Sequence, residues 1–278
     1  MNRIKISLDH VRHRSKPKFK MDVVDINNRI GKKVKAIPRE FLKGYITSIS
    51  KDGQSFCPAT FTNGTRKTEY FEQKQMFVLD FDGKLTLQEV FDRAEEYDLP
   101  ILFSYETFDS VNQDRFRIVF LNDVSIPDVR VAKLMLNILH EIFPEADKQC
   151  NEVARLYFGG KKLLYYDESI PEINIELLVK GLTICFYNRY GDTHYKKHLE
   201  RFAKVNGVAI TKKKMLDISM VEDYYDTSIS MDESQSTLSD SIISQPTPSD
   251  STTLQSSVLQ SIVSDNITPQ PINESNKT

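Results

Sequence analysis

Cysteine is scarce in this sequence, and long apolar runs and internal repeats are absent. Three cysteines occur among 278 residues, Cys57, Cys150 and Cys185, and none has the Cys-x-x-Cys spacing of a zinc knuckle. This scarcity argues against a disulfide framework and is typical of a reducing cytoplasm. No apolar run approaches the length of a membrane span, and the first residues lack the apolar segment of a signal peptide. We therefore expect a cytoplasmic protein with no membrane partner.

Charge is unevenly distributed along the chain. The sequence has 37 Lys and Arg against 39 Asp and Glu, yet residues 222–278 contain nine acids and one base, Lys277. Residues 1–221 therefore carry 36 bases and 30 acids, a mildly basic body that suits a nucleotide or nucleic-acid partner. Residues 222–278 are also rich in Ser and Thr and poor in large apolar side chains, which predicts a disordered tail.

A basic stretch follows the first predicted strand. That strand is indicated by the alternation of Ile4, Ile6 and Leu8. Phosphate contact and an ordinary solvated basic face are both compatible with the residues that come next. The basic residues occupy alternate positions: Arg12, Arg14, Lys16, Lys18 and Lys20.

The most informative stretch runs from Met76 to Lys84. An apolar run ends there in two acids, Asp80 and Asp82, followed by Gly83. Residues two apart in a strand point to the same face, so both carboxylates are expected to leave the strand in one direction. Such acids repel each other unless cations neutralise them, and hard Mg²⁺ or Mn²⁺ prefers oxygen ligands. A strand that simply ends in a polar turn is the alternative.

The surrounding pattern predicts an α+β protein in which helices pack on a sheet. Residues 38–50 predict a short helix that breaks near Gly44, followed by a strand through Ile46 and Ile49. The other expected elements are a hairpin over 55–67, a helix opened by the capping box Thr86–Glu89, strands at 100–104 and 115–120, a helix from about 125 to 143, and two helices between 169 and 206, the first ending at Gly181 and the second capped by Asp192.

Further charged residues supply the parts of a polyphosphate site. Arg115 and Arg117 share one face of their strand, and Asp147 follows the long helix. A site that binds a nucleoside triphosphate needs acids that hold metal ions and guanidinium groups that face the phosphates. Ser104 and Arg155 are additional candidates for nucleotide contact. The alternative for the two strand arginines is an outward face that pairs with surface acids.

The ordered motifs resemble a known family. Phe-Val-Leu-Asp80-Phe-Asp82, then Phe-Ser104-Tyr-Glu-Thr with Arg115-Phe-Arg117-Ile-Val-Phe, then Asp147 with Ala-Arg155-Leu-Tyr-Phe-Gly-Gly, are similar to the archaeo-eukaryotic primase superfamily. The resemblance is strongest to the replication proteins carried by plasmids, phages and integrative elements of Gram-positive bacteria. In much of the superfamily the second motif carries a phosphate-binding histidine. Arg117 stands at that position here, and it cannot act as a titrating imidazole.

The resemblance implies an RRM-like primase-polymerase core with helices packed on a mixed β-sheet. Residues 1–168 would form the catalytic domain, with a β-rich part over 1–75 and a metal and nucleotide core over 76–168. Residues 169–221 would be a helical extension before the tail. The implied activity is nucleotidyl transfer in the replication of a mobile genetic element, on a single-stranded DNA template and with nucleoside triphosphates, alone or with a separate helicase.

The resemblance also assigns residues to roles. Two Mg²⁺ or Mn²⁺ ions would be held by three catalytic acids and would activate a primer 3′-hydroxyl or an initiating nucleotide. The expected catalytic and metal-binding residues are Asp80, Asp82 and Asp147. The expected nucleotide-binding residues are Arg115, Arg117, Ser104 and Arg155.

Two other functions remain open from the sequence. The stretch around Asp80-Phe-Asp82-Gly83 also resembles the first motif of haloacid-dehalogenase-type phosphatases, in which Asp80 would be the nucleophile and Asp82 the general acid/base. Ser104 and the Gly191-Asp192 pair would supply later motifs of that family. A non-catalytic replication initiator that only binds DNA would need no more than the basic body.

Overall fold

The computed structural model describes residues 3–209, so the disordered tail expected over 222–278 lies outside the described residues. In that described part the strands are β1 Ile4–Leu8, β2 Val34–Ile37, β3 Phe56–Cys57, β4 Ala59–Phe61, β5 Phe71–Asp82, β6 Phe103–Thr107, β7 Arg115–Ile126 and β8 Gly160–Tyr166. The α-helices are α1 Lys20–Ile30, α2 Leu42–Ser50, α3 Leu87–Glu96, α4 Val129–Ile142, α5 Ile175–Tyr190 and α6 Tyr195–Asn206.

The central sheet has five strands in the order β4-β5-β7-β6-β8, and each neighbouring pair is antiparallel. The expected α+β class is therefore confirmed, whereas the expected mixed sheet is wrong for the strands described. The succession β5-α3-β6-β7-α4-β8 follows the β-α-β-β-α-β order of ferredoxin-like units. Here β8 joins the sheet beside β6, and β4 lies beside β5.

The two faces of this sheet carry different side chains because successive residues of a strand alternate. Asp80 of β5 lies opposite Arg117 of β7, which lies opposite Tyr105 of β6. The next positions along the strands, Phe81 and Phe116, stack on the other face with ring centroids 5.3 Å apart. One face is thus polar at its end, and the other is apolar.

Helices cover the apolar face. The ring of Phe81 meets Phe143 at the end of α4, and Phe91 of α3 meets Tyr165 of β8. Helix α3 begins at Thr86, whose hydroxyl accepts the Glu89 N–H while the Glu89 carboxylate accepts the Thr86 N–H. The expected capping box is confirmed.

The N-terminal part has a small sheet of order β2-β1-β3 together with α1 and α2, so it is more helical than the expected β-rich part. The strand expected through Ile46 and Ile49 is wrong, because α2 continues past Gly44. Leu42, Ile46 and Ile49 are all buried, which is the helical spacing of i, i+4 and i+7. Nothing lies within 4 Å of the position that a Cβ at Gly44 would occupy.

The last two helices pack into the same core as the sheet. Helix α5 does not end at Gly181, as expected, but continues to Tyr190. Gly181 is buried, and a Cβ at this position would lie 3.4 Å from atoms of Tyr97 and Ile142, which is an ordinary van der Waals contact. His194 rather than Asp192 precedes α6, and the expected end at Gly207 is confirmed by its left-handed conformation, with φ of 66°. Within residues 3–209, no helix is both long and apolar enough to cross a membrane.

Candidate active site

The polar end of the sheet opens into a cavity of about 450 Å³. Its walls bring together six of the seven residues that the sequence assigned to a metal and nucleotide site. Those residues are Asp80, Asp82, Arg115, Arg117, Asp147 and Arg155.

Asp80 and Arg117 form an ion pair across β5 and β7. The Arg117 Nη2 lies 2.9 Å from the Asp80 Oδ2, and the two side chains are only 11% and 8% exposed. The pair follows from register, since these residues are directly opposite each other in the ladder. A buried charge is tolerated when it is paired in this way.

Arg117 has further partners that fix its position. Its Nη1 donates hydrogen bonds to the Tyr105 hydroxyl at 3.2 Å and to the Phe158 carbonyl at 2.5 Å. Its guanidinium also lies over the rings of Tyr105 and Tyr157. Burial pulls the pKa of Arg117 down, but the Asp80 carboxylate and the Tyr105 hydroxyl outweigh burial and raise that pKa above its ordinary value. Arg117 is therefore a permanent cation.

Asp147 reaches the site through backbone geometry. Its N–H donates to the Asp80 carbonyl at 2.8 Å, which places the loop after α4 beside the end of β5. Its carboxylate accepts the Gln149 N–H at 3.0 Å and pairs with Arg155 Nη2 at 2.8 Å. Burial raises the pKa of Asp147, but the Gln149 N–H and Arg155 outweigh it and hold that pKa below the ordinary value.

Arg155 connects the two acids. The Nη2 atom that bonds Asp147 lies 3.7 Å from the Asp80 Oδ2, and the guanidinium lies over the Tyr157 ring. Tyr157 is buried, and its hydroxyl donates to the Val78 carbonyl at 3.1 Å. One tyrosine ring thus supports both Arg117 and Arg155.

Asp82 and Arg115 occupy the exposed end of the same ladder. They are opposite each other in β5 and β7, two positions beyond the Asp80–Arg117 pair. Both side chains line the cavity and both residues are exposed. They are accordingly free to meet a ligand at the mouth of the cavity.

Ser104 does not belong to this set, contrary to expectation. It lies opposite Ile118 on the apolar face of the sheet and is fully buried. Its Oγ has no hydrogen-bond partner within residues 3–209. The side-chain alternation of β6 places its neighbour Tyr105 on the polar face instead.

Other residues of the cavity wall are distant in sequence and were not assigned to the site from the sequence. Lys16 comes from the basic stretch before α1, Asn27 from α1 and Gln149 from the turn after Asp147. Arg66 donates from Nε to the Asn27 Oδ1 at 3.0 Å, and from Nη1 to the Ala154 carbonyl. Two sequence signals could have indicated Lys16 and Arg66: the alternating basic residues over 12–20 and the pair Arg66 and Lys67 after the turn at Gly64. Both patterns are equally compatible with ordinary surface residues.

The charges of the wall balance. Its described residues include five bases and five acids. Within residues 3–209, no three His, Cys, Asp or Glu side chains are grouped closely enough to hold a metal ion. The buried carboxylate of Asp80 is neutralised by arginines.

Comparisons with known proteins gave one structural likeness. No protein-family model matches the chain, and no curated protein matches it. The chain resembles the solved AEP domain of the cyanophage S-2L primase-polymerase (PrimPol), with 10% identity and a TM-score of 0.38, over 54% of this chain and 79% of that chain. A likeness of this extent establishes neither a family nor an activity, so the geometry of the cavity has to support any functional proposal.

Proposed function

We propose that the chain is a primase-type nucleotidyltransferase that acts in the replication of a mobile genetic element such as a plasmid or phage. The observation that carries the proposal is the hydrogen bond from the Asp147 N–H to the Asp80 carbonyl, 2.8 Å long. It brings acids from distant parts of the chain to one wall, with Asp82 and four arginines around the same cavity. The motif resemblance supports the replication setting.

The type of donor in the cavity suits a hard divalent cation, although its acids would have to move closer together to hold one. Asp80, Asp82 and Asp147 offer only carboxylate oxygens, which Mg²⁺ and Mn²⁺ prefer. The arginine partners of Asp80 and Asp147 already supply the charge compensation that a cation would give. A bound ion would therefore compete with Arg155 for these carboxylates. When bound, such ions would favour ionisation of the attacking hydroxyl and neutralise charge on the phosphates.

The balance of charge in the cavity also favours entry of a nucleotide together with cations. A triphosphate is strongly anionic, and the five acids of the wall offset the five bases. Added cations would make the cavity attractive to the triphosphate. Arg155, released from the acids, and the exposed Arg115 would then face phosphate oxygens, for which a guanidinium is well suited.

Arg117 has a different role in this proposal. It lines the cavity but is largely buried, and its guanidinium is engaged by Asp80, Tyr105 and Phe158. We assign it the task of positioning Asp80 rather than moving a proton, because a guanidinium stays charged at any pH of interest.

The phosphatase alternative loses support. Its second motif would need Ser104 beside Asp80, and Ser104 lies on the opposite face of the sheet. Its last motif would need Asp192, which lies before α6 and is not part of the cavity wall. The Asp80 carboxylate, expected as its nucleophile, is buried against Arg117.

The non-catalytic initiator stays as the second candidate, favoured by the basic stretch at the cavity rim. It needs DNA binding but neither cations nor a nucleotide.

The test is incorporation of labelled nucleotides on a single-stranded DNA template with Mg²⁺ or Mn²⁺, in the presence and absence of a primer. We expect wild-type protein to be active, and Asp82→Asn and Asp147→Asn to lose at least about 100-fold. Asp92→Asn, which changes an exposed acid of α3 outside the cavity, is the matched control and should keep full activity.

Two outcomes would replace the proposal. Hydrolysis of a simple aryl phosphate with a phosphoryl group trapped on Asp80 would indicate the phosphatase. Template binding that persists in both acid variants, with no incorporation by the wild type, would indicate the initiator.

A further inference from the structure

We propose that the exposed segment Arg12–Met21, which we term the basic track, holds single-stranded nucleic acid and guides it into the cavity. This inference rests on the proposed function for the identity of the strand, which would be the template.

The basic track lies within the region that accounts for the positive charge of the body. Residues 10–35 contain nine Lys and Arg against two Asp, whereas the other residues of 1–221 contain 27 bases and 28 acids. A partner that recognises the body through its charge would therefore meet this region first. Phosphodiester backbones bind such concentrated positive charge with release of counterions.

The track leads to the cavity. Lys16 lines the cavity together with Asp80, and its Nζ lies 2.5 Å from Asp109 Oδ2 at the rim. Val23 and Asn27, on helix α1, which begins within the last residues of the track, line the same cavity. A strand held along the track would thus end beside the acids that we propose to act on it.

The track contacts the rest of the described chain at two places. Arg12 pairs with Asp52 at 3.3 Å, and the carbonyl of His13 packs so closely on Gly53 that any Cβ there would overlap it. Gly53 also has φ of +73°, a conformation that L side chains rarely adopt. These contacts hold one part of the track, and the Lys16–Asp109 pair holds another.

The remaining basic residues of the track project outward. Arg14, Lys18 and Lys20 are exposed, and no ion pair within residues 3–209 involves them. Successive phosphates of an extended single strand could each contact one of these exposed basic side chains.

Two exposed apolar side chains argue for an unpaired strand rather than a duplex. Phe19 is 74% exposed and Met21 is 66% exposed, and both stand among the lysines of the track. A base that is not paired can stack on an aromatic ring, and this stacking stabilises the complex whatever the base. In a duplex the bases are already stacked on each other, so Phe19 would gain little. An acidic protein partner would match the lysines but has no bases to stack on Phe19.

The test is the affinity of the full chain for a labelled single-stranded oligonucleotide, measured by fluorescence anisotropy without metal or nucleotide over a series of salt concentrations. The double variant Arg14→Glu/Lys18→Glu should bind at least about tenfold more weakly, and its salt slope should fall by about two. Phe19→Ala should weaken single-strand binding about fivefold or more and leave duplex binding unchanged.

The matched control reverses two exposed lysines on helices elsewhere, Lys133→Glu/Lys204→Glu. Equal weakening by this control, or wild-type affinity in the track variants, would overturn the proposal. So would equal competition by poly-glutamate at the same charge concentration, because that result would indicate an acidic protein partner.

The outcome is separable from that of the proposed function. If the track variants bind the oligonucleotide and incorporate nucleotides as the wild type does, the proposed role of the track is refuted and the proposed enzymatic function is supported. If the wild type incorporates no nucleotides and the track variants lose oligonucleotide binding, the proposed strand-binding role of the track is supported and the proposed enzymatic function is refuted.

Discussion

At the scale of single residues, Arg115 and Arg117 have the same chemistry and opposite environments. Arg117→Ala leaves the Asp80 carboxylate buried without its partner, so it should lower the free energy of unfolding by about 3–5 kcal/mol. Arg115→Ala removes an exposed side chain and should change that free energy by less than about 0.5 kcal/mol. Denaturant unfolding of the two variants makes the comparison. Equal stability would show that the buried ion pair does not form.

Lys74 is a second residue whose environment decides its chemistry. It is fully buried in β5, and its Nζ donates to the Val153 carbonyl at 3.3 Å and lies over the Phe77 ring. Burial lowers its pKa to about 8 from the ordinary 10.5. The folded state therefore releases the proton at a lower pH than the unfolded state does. This mismatch destabilises the fold below pH 8 and fades as the pH rises toward 10.5.

Lys74→Met should accordingly stabilise the protein at pH 7, by up to about 3 kcal/mol. The lost bond to Val153 makes the gain smaller than this limit. The advantage over wild type should shrink steadily between pH 8 and pH 10. Unfolding curves of both proteins at these pH values check the prediction. A difference that does not depend on pH would mean that the pKa of Lys74 is the same in the folded and unfolded states.

At the scale of elements, alanine substitutions at two glycines are expected to change stability in opposite directions. Gly159 lies in the loop before β8, where that loop meets the end of α2, and a Cβ there would overlap backbone atoms of Gly53, Ile49 and Gln54. Gly159→Ala should therefore destabilise the fold by about 1–3 kcal/mol and displace the loop. Gly44 lies inside α2 with open space around it, so Gly44→Ala should stabilise by about 0.5–1 kcal/mol. Thermal unfolding of both variants provides the check, and destabilisation by Gly44→Ala would count against the helix.

The elements also show what sequence patterns predict well and why they fail. Local sequence patterns and the capping box located β1, the end of β5, the start of β7 and the start of α3, because these signals are local. Gly44 and Gly181 were taken to end helices that in fact continue. The loss of helix propensity at one glycine, about 1 kcal/mol, is smaller than what packing of the flanking apolar residues contributes.

Membership of the candidate site was predictable for side chains on the same strand. It was less predictable for residues that are distant in sequence and meet only through tertiary contacts. The pairing of Asp80 with Arg117 depends on register, which the sequence of one strand does not contain. Ser104 was misplaced because a shift of one residue in β6 exchanges the two faces. Lys16 and Arg66 entered the cavity through tertiary contacts that no local pattern encodes.

At the scale of the whole molecule, the charged features of the sheet and of the N-terminal region meet at one cavity. Helices bury one face of the five-stranded sheet, and the acids and arginines gather at the end of the other face. The positive charge of the body is concentrated in one region that reaches this same cavity. In the proposed enzyme, a nucleotide with its cations enters the cavity while the template lies along the basic track.

The central claim is that Asp80, Asp82 and Asp147 together bind divalent cations. The most direct measurement is the anomalous scattering of Mn²⁺ in crystals grown with a non-hydrolysable nucleoside triphosphate. We predict a manganese peak between these carboxylates, the triphosphate beside Arg115, and Arg155 turned away from Asp80 toward phosphate. Crystals with bound nucleotide but no manganese at these acids, and with the Asp80–Arg155 contact kept, would contradict the claim.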